Sequence, residues 1–177
     1  MANVYLGLGS NLGDKRKQLF AAITLLAEQA GDILALSDLH ETIPWGYQSA
    51  HSFLNMVVHL GTSLSPHELL ASTQHIESEL GRTAKSKDRQ YNDRTIDIDI
   101  LLYDKVILQT PDLVLPHPLM HKRLFVLQPF TQIASDLIHP VFNQTITDLY
   151  QALLMEIVDE INRQKFEELI NADVLPV

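Results

Sequence analysis

In a chain of 177 residues, the stretch Arg94-Thr95-Ile96-Asp97-Ile98-Asp99-Ile100 has the residue types and spacing best suited to chemistry. As a strand, its period of two sets Asp97 and Asp99 on one face while Ile96, Ile98 and Ile100 pack on the other. The carboxylates then stand roughly 6.5–7 Å apart at their Cα atoms. At an effective dielectric of about 20 they repel by about 2 kcal/mol. A concave site tolerates such a pair when a cation balances it. Hard oxygen donors with no sulfur nearby point to Mg²⁺ carried in with substrate phosphates. A solvated strand face paired to Arg94 or Lys105 is the plainer meaning of a lone Asp-x-Asp. The arginine-rich stretch just upstream shifts the balance toward metal.

That stretch holds Arg82, Lys85, Lys87, Arg89 and Arg94, in a chain with only 13 Lys+Arg against 22 Asp+Glu and a net charge of −9. One concentrated basic loop on an acidic protein suits a local anion site, and guanidinium groups match phosphate oxygens bidentately. Tyr91, set among these cations, fits a loop that closes over a ligand. Trp45, Tyr47 and Phe53 make the region from Pro44 to Asn55 either a packed loop or the wall of a pocket for a flat ligand. Asn55 shares the strand face of Phe53 and offers a donor and an acceptor to a heterocycle edge. Gln74 and Glu77, three apart on a helix, project together, a spacing normally found on solvated faces. Pro116-His117-Pro118 presents a histidine rigidly, as a phosphate donor. Leu8-Gly9-Ser10-Asn11-Leu12-Gly13 meets neither the GxGxxG nor the GxxxxGK[ST] spacing, which excludes Rossmann and P-loop sites.

These residues need elements to hold them. Val4–Gly9 is a short apolar run ending in glycine, and Leu19, Phe20, Ile23, Leu26, Ala27 and Ala30 recur at helical spacing up to Gly31. Ile33–Ile43 and Phe53–Leu64 are strand-like. Ser65-Pro66-His67-Glu68 is a capping box for a helix that buries Leu69, Thr73, Ile76 and Leu80. Thr95–Tyr103 alternates as a strand, with Val106–Leu108 as a short partner after the Asp104-Lys105 turn. A proline-punctuated segment (Pro111, Pro116, Pro118, Pro129, Pro140) leads to a C-terminal helix marked by Leu149, Leu153, Ile157 and Ile161. The order strand–helix–strand–strand–helix–strand predicts an α+β, ferredoxin-like βαββαβ core. Its antiparallel sheet would carry helices on one face, leaving the other for the site, with an extra C-terminal hairpin and helix.

The length fits one domain, residues 1–177. The absence of cysteine excludes disulfides, thiolate nucleophiles and Cys-ligated zinc. With no apolar run near the roughly 18 residues of a membrane span and no basic, apolar leader, the sequence predicts a cytoplasmic protein without membrane partners. The acidic balance argues against nucleic acid.

Gly7-Leu8-Gly9-Ser10-Asn11-Leu12-Gly13-Asp14, Phe53-Leu54-Asn55, Gly81-Arg82, the Arg94–Ile100 strand and Pro116-His117-Pro118 with Arg123 and Phe125 resemble 6-hydroxymethyl-7,8-dihydropterin pyrophosphokinase of folate biosynthesis. The likeness runs in order from about residue 3 to about residue 140. It implies a family-like core over about 3–157 with a helical extension over 158–177, and transfer of diphosphate from ATP to the pterin hydroxymethyl group with release of AMP. It also implies two Mg²⁺ ions on Asp97 and Asp99, with Arg82 and Arg94 as further catalytic residues. Gln74, Glu77, Arg82, Lys85, Arg94, Ile100, His117 and Arg123 would surround ATP. Thr42, Pro44, Trp45, Phe53, Asn55, Tyr91, Asp97 and Phe125 would hold the pterin, in a monomer or weak dimer. Asp112 stands where some relatives carry a basic ATP contact. Rival readings are a non-enzymatic ligand sensor, which would consume no ATP, and another Mg²⁺–ATP transferase, which would release ADP or pyrophosphate rather than AMP.

Overall fold

The structure, a computed structural model, describes residues 1–42, 52–81 and 95–172, with side chains to residue 165. Strand β1 (Ala2–Ser10) leads into α1 (Lys15–Gln29), β2 (Asp32–Leu36), β3 (His40–Thr42), β4 (Phe53–Thr62) and α2 (Pro66–Glu79). Then follow β5 (Asp97–Tyr103), the two-residue strands β6 (Leu108–Gln109) and β7 (Val114–Leu115), a 3₁₀ turn at Met120–Lys122, α3 (Leu124–Ala134) and α4 (Ile146–Ala172). The main sheet has the order β2-β4-β1-β5, antiparallel throughout, with β3 as a further short partner of β4.

Local chemistry sets the helix ends. At α2, Ser65 accepts from the Glu68 N–H while the Glu68 carboxylate takes the Ser65 N–H, the reciprocal cap expected of this sequence. α1 is capped by Asp14 and stops before Gly31, whose φ of +151° and position against Gly61 leave no room for a Cβ: one would lie 2.2 Å from the Gly61 carbonyl oxygen.

One core lies between α1, α2 and the sheet, built on Leu6, Leu8, Leu19, Leu26, Leu69, Ile76 and Ile98. The expected free face opposite does not exist over most of the sheet. There α3 and α4 pack Val126, Leu127, Phe130, Leu149 and Leu153 over Tyr5, Val57, Leu101 and Leu102. The reason lies in β5. It alternates only through Ile100, and then Leu101, Leu102 and Tyr103 are all buried. The pairing steps from Leu6↔Ile100 to Tyr5↔Leu102, so Leu101 is a bulged residue. A strand apolar on both faces needs cover on both. The end of the sheet around Gly9 and Asp97 contributes nothing to this second core.

Other expectations need correction. α3 occupies part of the proline-punctuated segment: Pro129 lies inside it, and Val126, Leu127 and Phe130 nonetheless drive it onto the sheet. β6 pairs with β7 rather than with β5. The strand-like run from Ile33 divides into β2 and β3, because Ser37 at the break both donates to Val57 O and accepts from the Val57 N–H. Among the described residues no helix is long and apolar enough to cross a membrane.

Candidate active site

Register brings the first group of residues together. Asn55 on β4 pairs with Gly9 on β1, and Gly9 pairs with Asp97 on β5. Directly opposed residues share a face, and strands lie about 4.8 Å apart. An amide and a carboxylate therefore flank a strip of bare backbone about 10 Å wide from Cα to Cα. A side chain in the middle would crowd the amide: a Cβ on Gly9 would sit 3.0 Å from Asn55 Oδ1 and 3.8 Å from Phe53 Cδ1. Thr42 Oγ1 accepts from Asn55 Nδ2 at 2.8 Å, which turns the amide oxygen toward the strip. Thr42 and Phe53 pair at the end of β3 and β4 and so border the same strip.

Two residues along β5, Asp99 stands opposite Gly7 on the same face. Its Oδ2 lies 3.2 Å from Arg123 Nη1 and 3.9 Å from His117 Nε2. Arg123, at the start of α3, also holds its guanidinium 5.8 Å from the centre of the Phe125 ring. His117 follows the cis Leu115–Pro116 bond and donates its backbone N–H to Leu101 O. The Leu119 N–H donates to His117 Nδ1, so the ring proton belongs on Nε2, facing Asp99. Burial first, then the neighbouring Arg123 charge, lower the His117 pKa to about 4. The imidazole is thus neutral near pH 7, and its contact with Asp99 is not an ion pair. It is a fixed N–H donor.

A cleft of about 370 Å³ runs from this pair between α2 and β7. Gln74, Glu77, Asp97, Asp99, Ile100 and His117 all line it, as do Leu70 and Thr73 of α2 and the turn Pro111–Val114. Glu77 is not on a solvated helix face. It is 3% exposed, and its Oε1 accepts from the Ile98 N–H at 2.8 Å, covering an edge-strand donor between the two aspartates.

The structure thus brings four of the residues expected around ATP, Gln74, Glu77, Ile100 and His117, into one cleft with the expected metal ligands Asp97 and Asp99, sets Arg123 against Asp99, and places Thr42, Phe53, Asn55 and Asp97 around the strip. Arg82, Lys85, Tyr91 and Arg94, with Pro44 and Trp45, lie outside the described residues. The sequence reading missed Gly9, whose importance comes from what it faces, and the turn Pro111–Val114. Gly9 has a sequence signal only as part of Gly-x-Gly at the end of a strand, in line with Asn55 once the strands are paired. Lys15, which ties down the end of β3 and β4, was also missed.

A sequence model of the family described as 7,8-dihydro-6-hydroxymethylpterin-pyrophosphokinase matches residues 5–135. The 2-amino-4-hydroxy-6-hydroxymethyldihydropteridine pyrophosphokinase of Porphyromonas gingivalis is 53% identical over 143 residues, covering 79% of this chain and 95% of that protein. The Bacillus subtilis protein of the same name is 45% identical over 132 residues, covering 74% and 77%. Among solved structures, the fold is similar to an HPPK-DHPS chain in complex with substrates (TM-score 0.72, 16% identity, 89% of this chain and 44% of that one). It is equally similar to a Plasmodium falciparum HPPK-DHPS triple mutant (TM-score 0.72, 18% identity, 91% and 43%). This chain spans less than half the length of either solved chain.

Proposed function

The chain belongs to the 7,8-dihydro-6-hydroxymethylpterin-pyrophosphokinase family, and from that premise we propose how its residues divide the work. It transfers diphosphate from ATP to the hydroxymethyl group of 6-hydroxymethyl-7,8-dihydropterin in folate biosynthesis. The substrate hydroxyl oxygen attacks the β-phosphorus, the bond from that phosphorus to the α-phosphate oxygen breaks, AMP leaves, and the hydroxyl proton is released.

The observation that carries the assignment of residues is the Asn55–Gly9–Asp97 row ending beside Asp99. The pterin lies on the Gly9 strip, with Asn55 on its hydrogen-bonding edge and Phe53, Thr42 and Phe125 around it. ATP occupies the cleft along Gln74, Glu77, Ile100 and His117, with Arg123 at the phosphates. Asp97 borders both, so the hydroxymethyl group and the β-phosphate meet there. Pro44, Trp45 and Tyr91 on the pterin, and Arg82, Lys85 and Arg94 on the phosphates, complete this assignment from the family likeness.

The donor set fits magnesium. Two carboxylates on one strand face, with neutral and cationic nitrogens beside them, supply oxygen ligands only. Among the described residues no group of three or more His, Asp and Glu forms a ready cage. Magnesium is commonly held by one or two carboxylates, with substrate phosphates and water supplying the rest. Asp97 and Asp99 would hold two Mg²⁺ ions, which when bound offset triphosphate charge and acidify the attacking hydroxyl. The chain's own residues do the positioning, which dominates phosphoryl-type transfer. His117 donates Nε2–H to a phosphate oxygen. Arg123 exchanges its carboxylate partner for phosphate. The Glu77 bond to Ile98 fixes the strand segment between the two acids.

The strand order β5-β1-β4-β2, each half a strand–helix–strand unit, supports a ferredoxin-like core. We assign a core over about 3–157, which contains the matched stretch at 5–135, with residues 158–177 as an extension within a single domain.

Incubation with Mg²⁺, ATP and 6-hydroxymethyl-7,8-dihydropterin, followed by nucleotide chromatography, should yield AMP. Asp97→Ala should abolish it in a protein with an unchanged circular dichroism spectrum. Near-normal turnover in that variant would refute the metal assignment.

A further inference from the structure

Lys15 opens α1, where a cation opposes the helix dipole, and the favourable charge at that end comes from the Asp14 cap. The Lys15 side chain is placed for something else. Nζ lies 2.8 Å from Ser52 Oγ, 3.1 Å from Ser52 O and 3.1 Å from Glu41 Oε1, which occupies all three ammonium N–H groups. Ser52 Oγ in turn donates to the same Glu41 oxygen at 2.5 Å. The group is compact, and the lysine side chain is only 26% exposed.

Its position matters more than its energy. Glu41 adjoins Thr42 and Ser52 adjoins Phe53, the terminal pair of β3 and β4. Thr42 holds the Asn55 amide. On the other side, the Lys15 backbone N–H bonds to Gly13 O in the turn that follows Gly9 and Ser10. One ammonium thus joins the turn after the Gly9 strip to the two residues that carry its far wall. We propose that Lys15 is a positioning residue for the pterin: through Glu41 and Ser52 it sets the distance between the Thr42–Phe53 wall and the β1–α1 turn. The Glu41 carboxyl lies below its usual pKa because of its bonds to Ser52 and Lys15, so it remains a carboxylate at neutral pH. This inference rests on the assignment of the Gly9 strip to the pterin.

The test measures kcat and both KM values for Lys15→Met, Lys15→Arg and Glu41→Gln. Lys15→Met should raise KM for the pterin about tenfold, the loss of a charge-assisted set of bonds. Its kcat and its KM for ATP should stay within about twofold. Lys15→Arg should recover most of the pterin KM, and Glu41→Gln should raise it about threefold. A pterin KM unchanged in Lys15→Met overturns the inference, and so does a parallel change in both KM values with a lowered melting temperature. Wild-type protein that forms no AMP under the same conditions overturns the functional assignment itself, and the role of Lys15 with it.

Discussion

The two ends of the site are made in opposite ways. The end proposed for the nucleotide is assembled from side chains on separate elements: Gln74 and Glu77 from α2, Asp99 from β5, His117 from the turn after β7 and Arg123 from the start of α3. Its partners are charged or strong donors at 2.8–3.9 Å. The end proposed for the heterocycle is made by leaving a side chain out, at Gly9, and letting strand register place Asn55 and Asp97 on either side. Removing atoms should therefore damage the first end, and adding atoms should damage the second.

Substitutions can break that contrast. After Asp97, the largest effect is expected at Asp99. Asp99→Ala should lower kcat by roughly 1,000-fold, because a metal ligand and the Arg123 partner go together. AMP formation measures it, and a loss under tenfold would mean that Asp97 suffices alone. Gly9→Val should raise KM for the pterin roughly 100-fold through crowding against Asn55. Its ATP affinity, measured calorimetrically with a non-hydrolysable analogue, should stay within about twofold. Equal damage to both substrates would dissolve the distinction between the ends. Asn55→Ala, a deletion at the heterocycle end, should cost the pterin about tenfold in affinity by leaving its edge unpaired. A deletion there that outweighs the Gly9 insertion would invert the comparison.

The smallest effect sharpens the nucleotide end through pH. His117 is held at about 4 by burial and by Arg123, with Asp97 pulling the other way and His121 adding to the depression. Between pH 6.5 and about 4 the unfolded chain binds a proton that the folded chain refuses. Stability present above that window is lost as pH falls through it, by up to about 3 kcal/mol. His117→Asn should flatten part of this slope in denaturant titrations at pH 7 and pH 4.5. His139, also lowered to about 4 by burial, keeps the remainder. An unchanged slope would mean that the imidazole is charged in the folded protein.

Much of this was legible in the sequence because it is local. The Asp97/Asp99 face needs only a period of two, and the Ser65–Glu68 cap needs four consecutive residues. What was hidden depends on distant partners. The Leu101 bulge appears only when β5 is laid against β1. Pro129 disguised α3, whose apolar stripe outweighs one missing N–H. Glu77 looked solvated because its spacing three residues after Gln74 is usual on an exposed helix face, yet the edge of β5 lies across its carboxylate. The value of Gly9 is its neighbour on the next strand, and Lys15 carries no motif at all.

The Leu101 bulge has an effect beyond its own position. By inserting one residue it turns Tyr103 into the first core, where the phenol donates to Leu64 O at 2.6 Å, one residue before the cap of α2. Glu77 spans the same gap near the opposite end of β5. The spacing of α2 and β5 is therefore held toward both ends of the strand, inside the core at Tyr103 and on the wall of the cleft at Glu77. A ligand entering the cleft beside α2 therefore meets a wall already braced, one that yields to a bulkier guest only by breaking the Glu77 bond to Ile98.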